Sequence, residues 1–345
     1  MPAPSISLEP LLQLAARAVP GARVSTEAMP GGASLRRFFR LHFDTGRTAV
    51  GMFFPEAAQS EEVSQQPKQE SRWPFIEVLE LLRGNQIRVP ELLAKDTERG
   101  WLLVEDLGDR TLAQALLETP DRKQALYQLA VRDMARAHAQ LQTLASDCIV
   151  AQRCFDVELL EWEMNHFLEY ALLARGISLS PAQHTHFGAC TRQLAEQIRG
   201  FDYGFTHRDY QSRNLMVLGT GADALAWVDF QDAMLGPRVY DLVALLNDSY
   251  QTFDDAFVAA RLDEYAGHRG LEAERERLHE EFQLVTVQRK LKDAGRFVYI
   301  DRVKHDSSYL KFVEPSIAKI RHAMTKLPGV RHVQELRTLL DEVLP

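Results

Sequence analysis

The chain has 345 residues, of which 46% are hydrophobic and 26% charged. This length and composition allow a sizeable buried core and suggest about two domains or lobes. The net charge of −8 argues against nucleic-acid binding as the main activity, because such binding usually requires a basic face. Cys148, Cys154 and Cys190 are odd in number and lack CxxC spacing, so they indicate neither a disulfide framework nor a zinc site.

The N-terminal segment and the longest apolar runs bear on where the chain resides. Residues 5–18 lack a basic start, and Glu9, Gln13 and Arg17 interrupt their apolar character. This pattern does not predict a signal peptide. No apolar run reaches the roughly eighteen residues that a membrane-spanning helix needs. We therefore expect a cytoplasmic protein with no membrane span.

Strand patterns dominate the first hundred residues. Alternating apolar residues predict a β-hairpin from strands at 38–43 and 49–54. Before it, Gly31, Gly32 and Ser34 would let backbone N–H groups approach an anion, as a nest does. A plain turn is the alternative interpretation of such a glycine pair.

The rest of this region predicts one helix and two more strands. Apolar residues at helical spacing cover residues 73–82, and the strands are expected at 92–94 and 101–105. The second strand continues into Glu105, Asp106 and Leu107. We expect these three residues to form a hinge between two lobes.

From residue 121 the apolar pattern changes to a period near 3.6 residues, which is typical of helices. The sequence thus predicts an α+β protein with a small β-rich N-terminal lobe, residues 1–105, and a larger, mainly α lobe, residues 106–345. Helices of the larger lobe are expected at 157–174, at 181–199, from residue 239 and at 278–297.

One short segment of the larger lobe carries several groups suited to chemistry. His207-Arg208-Asp209 is followed five residues on by Asn214, and Asp229 comes fifteen residues after that. Two predicted strands between Asn214 and Asp229 would return the chain, so that the two side chains meet. Short motifs are common by chance, but this order and spacing match a kinase catalytic loop followed by a metal loop.

Phosphoryl transfer explains why these residue types are needed. The reaction requires an acceptor hydroxyl aimed at the γ-phosphate of ATP and a divalent cation that neutralises phosphate charge. Mg²⁺ prefers oxygen ligands, so we expect Asn214 and Asp229 to bind it. Asp209 would then act as the base that accepts or orients the hydroxyl proton. The sequence therefore predicts an ATP- and Mg²⁺-dependent phosphotransferase.

With these motifs the chain resembles the aminoglycoside phosphotransferase and choline kinase-like superfamily, which implies a protein kinase-like two-lobe fold. It differs from protein kinases because Gln231 stands where they have glycine after Asp-Phe, and no Ala-Pro-Glu triplet follows. Within the superfamily it is most similar to the bacterial anomeric N-acetylmuramate/N-acetylglucosamine kinases of cell-wall recycling. The segments that carry this likeness lie at 34–40, 89–93, 103–109, 207–214, 229–237 and 288–297.

The resemblance also implies roles for individual residues. Asp209 is the expected base and Asn214 and Asp229 are the expected Mg²⁺ ligands. The hinge residues Glu105, Asp106 and Leu107 are expected to hold adenine. On the phosphate side we expect contacts from Gly32, Ser34 and Arg37.

One position departs from the general kinase pattern. The strand that should carry the phosphate-pairing lysine has Met52 instead, so the usual Lys–Glu ion pair cannot form. Arg36, Arg37 and Arg40 lie one predicted strand away, and arginine is well shaped for phosphate oxygens. We expect at least one of them to contact the triphosphate, although solvated arginines on an exposed strand are the alternative.

The substrate side is predicted on the helix at 278–297. Lys292 lies four residues after Gln288 and three after Arg289, which places these residues on one flank of that helix. A basic flank favours a sugar that bears a carboxylate, such as N-acetylmuramate, and disfavours a polycationic antibiotic. A merely solvated helix face is the alternative.

Three functions are therefore compatible with the sequence. The first is a kinase that phosphorylates the anomeric hydroxyl of N-acetylmuramate or N-acetylglucosamine in peptidoglycan recycling. The second is a kinase for another small hydroxyl substrate of the aminoglycoside, choline or homoserine type. The third is a pseudokinase that binds nucleotide without chemistry, which the methionine at position 52 would explain.

Overall fold

The computed structural model describes residues 6–30, 35–55, 72–219 and 225–344. Its N-terminal part contains helices α1 (Glu9–Ala18) and α2 (Pro74–Gly84) together with a β-sheet. The strands of this sheet are β1 (Val24–Ala28), β2 (Arg37–Phe43), β3 (Thr48–Phe53), β4 (Leu92–Asp96) and β5 (Trp101–Glu105).

Within the described residues these strands form one antiparallel sheet in the order β1-β2-β3-β5-β4. The predicted hairpin is present as β2 and β3, with Phe38 opposite Met52. Strand alternation directs one side of the sheet to α1, where Leu11 and Trp101 are buried. The other side, with Met52, packs towards α2 and joins the main core.

The C-terminal part is mainly helical, as expected. Two short antiparallel pairs, β6 with β9 and β7 with β8, lie among its helices. The strands are β6 (Tyr203–Thr206), β7 (Leu215–Val217), β8 (Leu225–Trp227) and β9 (Met234–Pro237). The helices are α3 (Leu112–Glu118), α4 (Lys123–Gln140), α5 (Val157–His166), α6 (Pro181–Arg199), α7 (Tyr240–Leu246), α8 (Asp255–Arg269), α9 (Arg275–Lys304), α10 (Val313–Thr325) and α11 (Arg331–Val343).

This arrangement of a sheet followed by a larger helical part confirms the predicted α+β class. Among the described residues, no helix combines the length and apolar character needed to cross a membrane.

Helix α9 is the central element of the helical part. It packs against α5, α6, α7, α8 and α10, and it is buried on several sides over much of its length. Even Gln288, Arg289 and Lys290 have at most 1% of their surface exposed. A helix with buried side chains all round is typical of a protein core. The alternative of a solvated flank at these residues is therefore excluded.

The predicted helix at 157–174 is interrupted where it meets α9. It is α-helical as α5, continues as a π-helix over Phe167–Leu172 and ends as a 3₁₀ turn over Leu173–Arg175. The closest approach is at Gly295 of α9, where an added Cβ would lie 2.2 Å from the carbonyl carbon and oxygen of His166. Glycine thus permits backbone contact where the helical geometry of the partner changes.

We predict that Gly295→Ala destabilises the protein, because its methyl group would overlap the backbone of His166. Overpacking of this kind costs about 1–3 kcal/mol or more. Thermal and denaturant unfolding should show a lower midpoint. Gly267→Ala is the matched control, since it lies within α8 with no atom within 4 Å of an added Cβ, and it should be neutral or stabilising by about 0.5–1 kcal/mol. Equal effects of the two changes would contradict the packing argument.

Candidate active site

Two short strands bring the predicted catalytic and metal-binding residues together. Asp209 and Asn214 lie in the loop between β6 and β7, which we call the catalytic loop (residues 207–214), and Asp229 follows β8. Strands β7 and β8 pair with Leu215 opposite Trp227. The N–H of the next residue, Val228, donates to the Asn214 carbonyl at 3.0 Å. Asn214 and Asp229 are therefore held close to one another by the hairpin.

Asp209 lies at the open side of the catalytic loop, with 39% of its side chain exposed. Its Oδ1 accepts hydrogen bonds from Arg289 Nη2 at 3.1 Å and from Gln211 Nε2 at 3.2 Å. The contact with Arg289 is a charge-assisted hydrogen bond. This carboxylate is thus oriented by protein groups and is still accessible to a small molecule.

The side chain of Asn214 is oriented by the loop itself. Its Nδ2 donates to the Asp209 carbonyl oxygen at 2.9 Å, so Oδ1 is the atom left to act as a metal ligand. Asp229 supplies a carboxylate one residue after Val228, whose N–H is bonded to the Asn214 carbonyl. An amide oxygen beside a carboxylate is a donor set that suits Mg²⁺, so the residues present fit this ion.

The backbone of the site is strained at two positions. Arg208 has φ +75° and Asp229 has φ +64°, a region that costs a non-glycine residue of order 1–3 kcal/mol. Such strain persists only where surrounding contacts stabilise it. One of the two strained residues precedes Asp209 and the other is Asp229 itself, so both lie at the predicted catalytic and metal-binding carboxylates.

Two buried carboxylates hold the catalytic loop from beneath. Asp241, on α7, accepts the N–H of His207 at 2.6 Å and that of Arg208 at 2.9 Å. Burial raises the pKa of Asp241 to about 7, and the two N–H donors oppose this shift. Asp248, just after α7, accepts from the Ser212 N–H at 3.0 Å and the Ser212 Oγ at 2.5 Å.

Sequence analysis did not identify either carboxylate as part of the site. For Asp241 there is a signal, because it is a single charged residue in the otherwise apolar run 239–246. A charge in a buried helix requires a partner, and backbone N–H groups are that partner here. For Asp248 we find no comparable signal in the sequence.

A third buried carboxylate, Glu163 of α5, lies behind the loop with none of its surface exposed. It accepts from Arg208 Nη2 at 3.1 Å, Gln288 Nε2 at 2.8 Å and Lys292 Nζ at 3.0 Å. Gln288 is fully buried, so it is placed to hold Glu163 rather than to meet a substrate. Lys292 keeps 11% of its side chain exposed. Arg289 contacts the site by its ion pair with Asp209.

Arg37 and Arg40 of β2 lie on opposite faces of the sheet, and Arg36 lies immediately before the strand. Arg36 Nη2 donates to Asp229 Oδ1 at 2.8 Å, which brings a cation directly to the expected metal ligand. Arg40 pairs with Asp106 and with Asp109, each at 2.8 Å. Arg37, which we expected to contact phosphate, is exposed and lies between them on the other face. Met52 is buried in the core.

The hinge residues differ in what remains available for a ligand. The side chain of Glu105 forms a bidentate pair with Arg88 at 2.5 and 2.8 Å, and that of Asp106 binds Arg40. The backbone N–H and C=O of Leu107 make no hydrogen bond to another backbone group of the described residues. Two predicted phosphate contacts, Gly32 and Ser34, lie outside the described residues.

The loop that follows β8 and carries Asp229 also contacts the N-terminal part of the chain. Phe230, next to Asp229, is fully buried. Its ring stacks on that of Phe75 of α2, with centroids 5.0 Å apart. The position of Asp229 is thus coupled to the packing of α2.

Comparison with known proteins agrees with this geometry. The model of the phosphotransferase enzyme family matches residues 25–279, which is well over half of the chain. The chain belongs to this family. The small-molecule kinase class and the superfamily predicted from the sequence are thereby confirmed.

Relatives of similar length align with most of this chain. The N-acetylmuramate/N-acetylglucosamine kinase of Pseudomonas putida is 30% identical over 318 residues, which cover 90% of this chain and 87% of that protein. The protein of the same name from Neisseria meningitidis is 28% identical over 271 residues, 77% of this chain and 75% of that protein.

Solved structures with low sequence identity confirm the kinase-like fold. The GDP complex of wild-type aminoglycoside 2'-phosphotransferase-IIIa has a TM-score of 0.61 and 15% identity, and the match covers 89% of this chain and 97% of that one. An ethanolamine kinase of Plasmodium vivax has a TM-score of 0.59 and 12% identity, with 90% and 84% covered.

We predict that Asp241→Asn lowers kcat strongly while the KM for ATP changes little. An amide side chain offers one oxygen to two N–H donors, so the catalytic loop should shift, and a 1 Å misplacement can cost about 10²-fold in rate. Coupled-assay kinetics would measure the effect. Asp254→Asn is the matched control, because Asp254 caps α8 through the N–H of Phe257 and asparagine caps equally well. A wild-type kcat for Asp241→Asn would contradict the role we give to Asp241.

Proposed function

We propose that this protein is an ATP- and Mg²⁺-dependent kinase that phosphorylates the anomeric hydroxyl of N-acetylmuramate, N-acetylglucosamine or both, in peptidoglycan recycling in the cytoplasm. The observation that carries the proposal is the meeting of Asp209, Asn214 and Asp229 at one hairpin, in a chain whose relatives of similar length carry this kinase name. Nucleic acid and membranes are not among the partners proposed.

Asp209 is the proposed catalytic base. Its accessible carboxylate accepts the proton of the anomeric hydroxyl as the sugar oxygen bonds to the γ-phosphorus and the bond from that phosphorus to the bridging oxygen breaks. ADP leaves with that oxygen. Arg289, at 3.1 Å from Asp209 Oδ1, holds the carboxylate in place for the step.

Asn214 and Asp229 are the proposed metal ligands. When bound, Mg²⁺ would neutralise the charge on the phosphate oxygens. The backbone strain at Asp229 fits a residue whose carboxylate direction is imposed by surrounding contacts.

The nucleotide is proposed to lie between the two parts of the chain, with the lobe boundary after Glu105. Adenine would bind to the backbone of the hinge, chiefly at Leu107, because the side chains of Glu105 and Asp106 are engaged with arginines. Gly32 and Ser34 stay proposed phosphate contacts. In place of Arg37 we propose Arg36, whose contact with Asp229 lies where the triphosphate would meet the metal.

The sugar is proposed to approach from the side of α9. Of the predicted substrate residues, Arg289 brings positive charge to Asp209, and Lys292 keeps part of its side chain exposed beside Glu163. These cations suit the lactyl carboxylate of N-acetylmuramate. N-acetylglucosamine would use the same hydroxyl without that charge. A polycationic aminoglycoside would meet charge of its own sign, which disfavours it.

We predict that the purified protein releases ADP with N-acetylmuramate or N-acetylglucosamine in the presence of Mg²⁺, and that kanamycin, choline and homoserine give no turnover. Phosphorus NMR should identify a sugar 1-phosphate. Asp209→Asn should lower kcat by about 10²–10⁴-fold while ATP still binds in calorimetry. Turnover of choline, homoserine or kanamycin alone would establish the other kinase class, and turnover of any compound would eliminate the pseudokinase.

We predict that Arg36→Ala raises the KM for ATP by about tenfold or more, because a hydrogen bond to a charged group is worth about 1.5–3 kcal/mol. Arg37→Ala is the matched control, one residue along the same chain on the other face of the sheet. Steady-state kinetics at saturating sugar would separate the two. An unchanged KM in both variants would refute a contact from Arg36 or Arg37, and an effect of Arg37→Ala alone would return the contact to Arg37.

A further inference from the structure

A second group of metal-ligating side chains lies where α6 contacts α11, outside the residues of the candidate active site. His186 and Cys190 are one turn apart on α6, and Glu335 lies on α11. One ligand atom from each of the three side chains lies within 4.8 Å of the other two. Neither the kinase reaction nor the family gives these residues a role in the site described above.

The spacing of the nitrogen and sulfur atoms matches chelation of one ion. His186 Nε2 lies 3.8 Å from Cys190 Sγ. In a tetrahedral zinc site, with Zn–N near 2.0 Å and Zn–S near 2.3 Å, the two ligand atoms would be about 3.6 Å apart. Residues four apart on a helix share one face, so no change of backbone is needed to bring both atoms to one ion.

The chemical types of the three groups favour a particular class of ion. A thiolate together with an imidazole selects zinc and similar transition metals, whereas Mg²⁺ and Ca²⁺ prefer oxygen ligands alone. Glu335 supplies a carboxylate, whose Oε1 accepts a hydrogen bond from Arg331 Nε at 2.7 Å. His186 is exposed and Cys190 is buried, so an ion can enter from solvent and meet the thiol at the inner end.

We propose that His186, Cys190 and Glu335 bind one Zn²⁺ ion, with water as the fourth ligand, and that this ion links α11 to α6. On binding, Cys190 loses its thiol proton to solvent and the sulfur bonds to the metal. An imidazole–thiol hydrogen bond with no metal is the competing explanation of the 3.8 Å contact.

Cobalt(II) is the probe that tests this directly, because it replaces zinc and absorbs light. Adding Co²⁺ to the full-length, chelator-treated protein should give a thiolate-to-cobalt charge-transfer band and the ligand-field bands of a tetrahedral ion, at one equivalent per chain. Zn²⁺ should displace the cobalt and raise Tm. Oxygen ligands at Asp229 cannot give the charge-transfer band, so binding at the proposed magnesium site would not be mistaken for this one.

Substitution of single side chains would show which residues bind the metal ion. Cys190→Ser should abolish the charge-transfer band, and His186→Ala should weaken Zn²⁺ binding by more than about 100-fold, since even loss of a residue that only orients a ligand costs 10–100-fold. His186 is exposed, so this variant keeps the test valid if Cys190→Ser folds poorly. Cys148→Ser is the matched control and should keep the band. No band in the wild-type protein, or a band that survives Cys190→Ser, would overturn the proposal.

Discussion

The start of the catalytic loop is held by a single buried carboxylate. The N–H groups of His207 and Arg208 both donate to Asp241, and these bonds stabilise the left-handed backbone at Arg208. The next residue is Asp209, so its position follows from that anchor. Placing Asp241 inside an apolar helix has an unfavourable solvation cost. Two short hydrogen bonds from backbone groups that also need partners offset part of it.

Side chains of helix α9 also hold the carboxylates at and behind the catalytic loop. The helix brings Arg289 to Asp209, and it brings Gln288 and Lys292 to Glu163, whose carboxylate also accepts from Arg208. Buried ion pairs contribute little net stability, but removal of one partner is expensive. Such a network therefore favours one arrangement of the loop over others. The close contact at Gly295 sets how near α9 can lie to α5, which carries Glu163.

Replacement of the usual phosphate-pairing lysine by Met52 becomes understandable from strand pairing. Phe38 lies opposite Met52 in the β2–β3 register, and Arg36 lies just before β2, two residues before Phe38. The long side chain of Arg36, just before the neighbouring strand, thus reaches Asp229. The side chain of Met52 is buried in the core. Positive charge next to Asp229 therefore comes from the residue that precedes β2, a different strand of the same sheet.

Local periodicity determined much of what could be predicted. The hairpin of β2 and β3, the helix at 181–199 and the order of Asp209, Asn214 and Asp229 depend on residues close together in the chain, where alternation and helical spacing act directly. The sequence alone therefore determined the fold class, the enzyme class and the centre of the candidate site.

Tertiary packing decided the rest, because it brings together residues that are far apart in the sequence. The spacing of Gln288, Arg289 and Lys292 predicted a shared flank of a helix, but only packing on several sides buries that flank and directs it to Glu163 and Asp209. The meeting of Cys190 with Glu335, 145 positions later, has no local signal, and neither does the preference for Arg36 over Arg37 at Asp229. A sequence pattern specifies which face a residue occupies within its own element, whereas the partner of that face is set by how the elements pack.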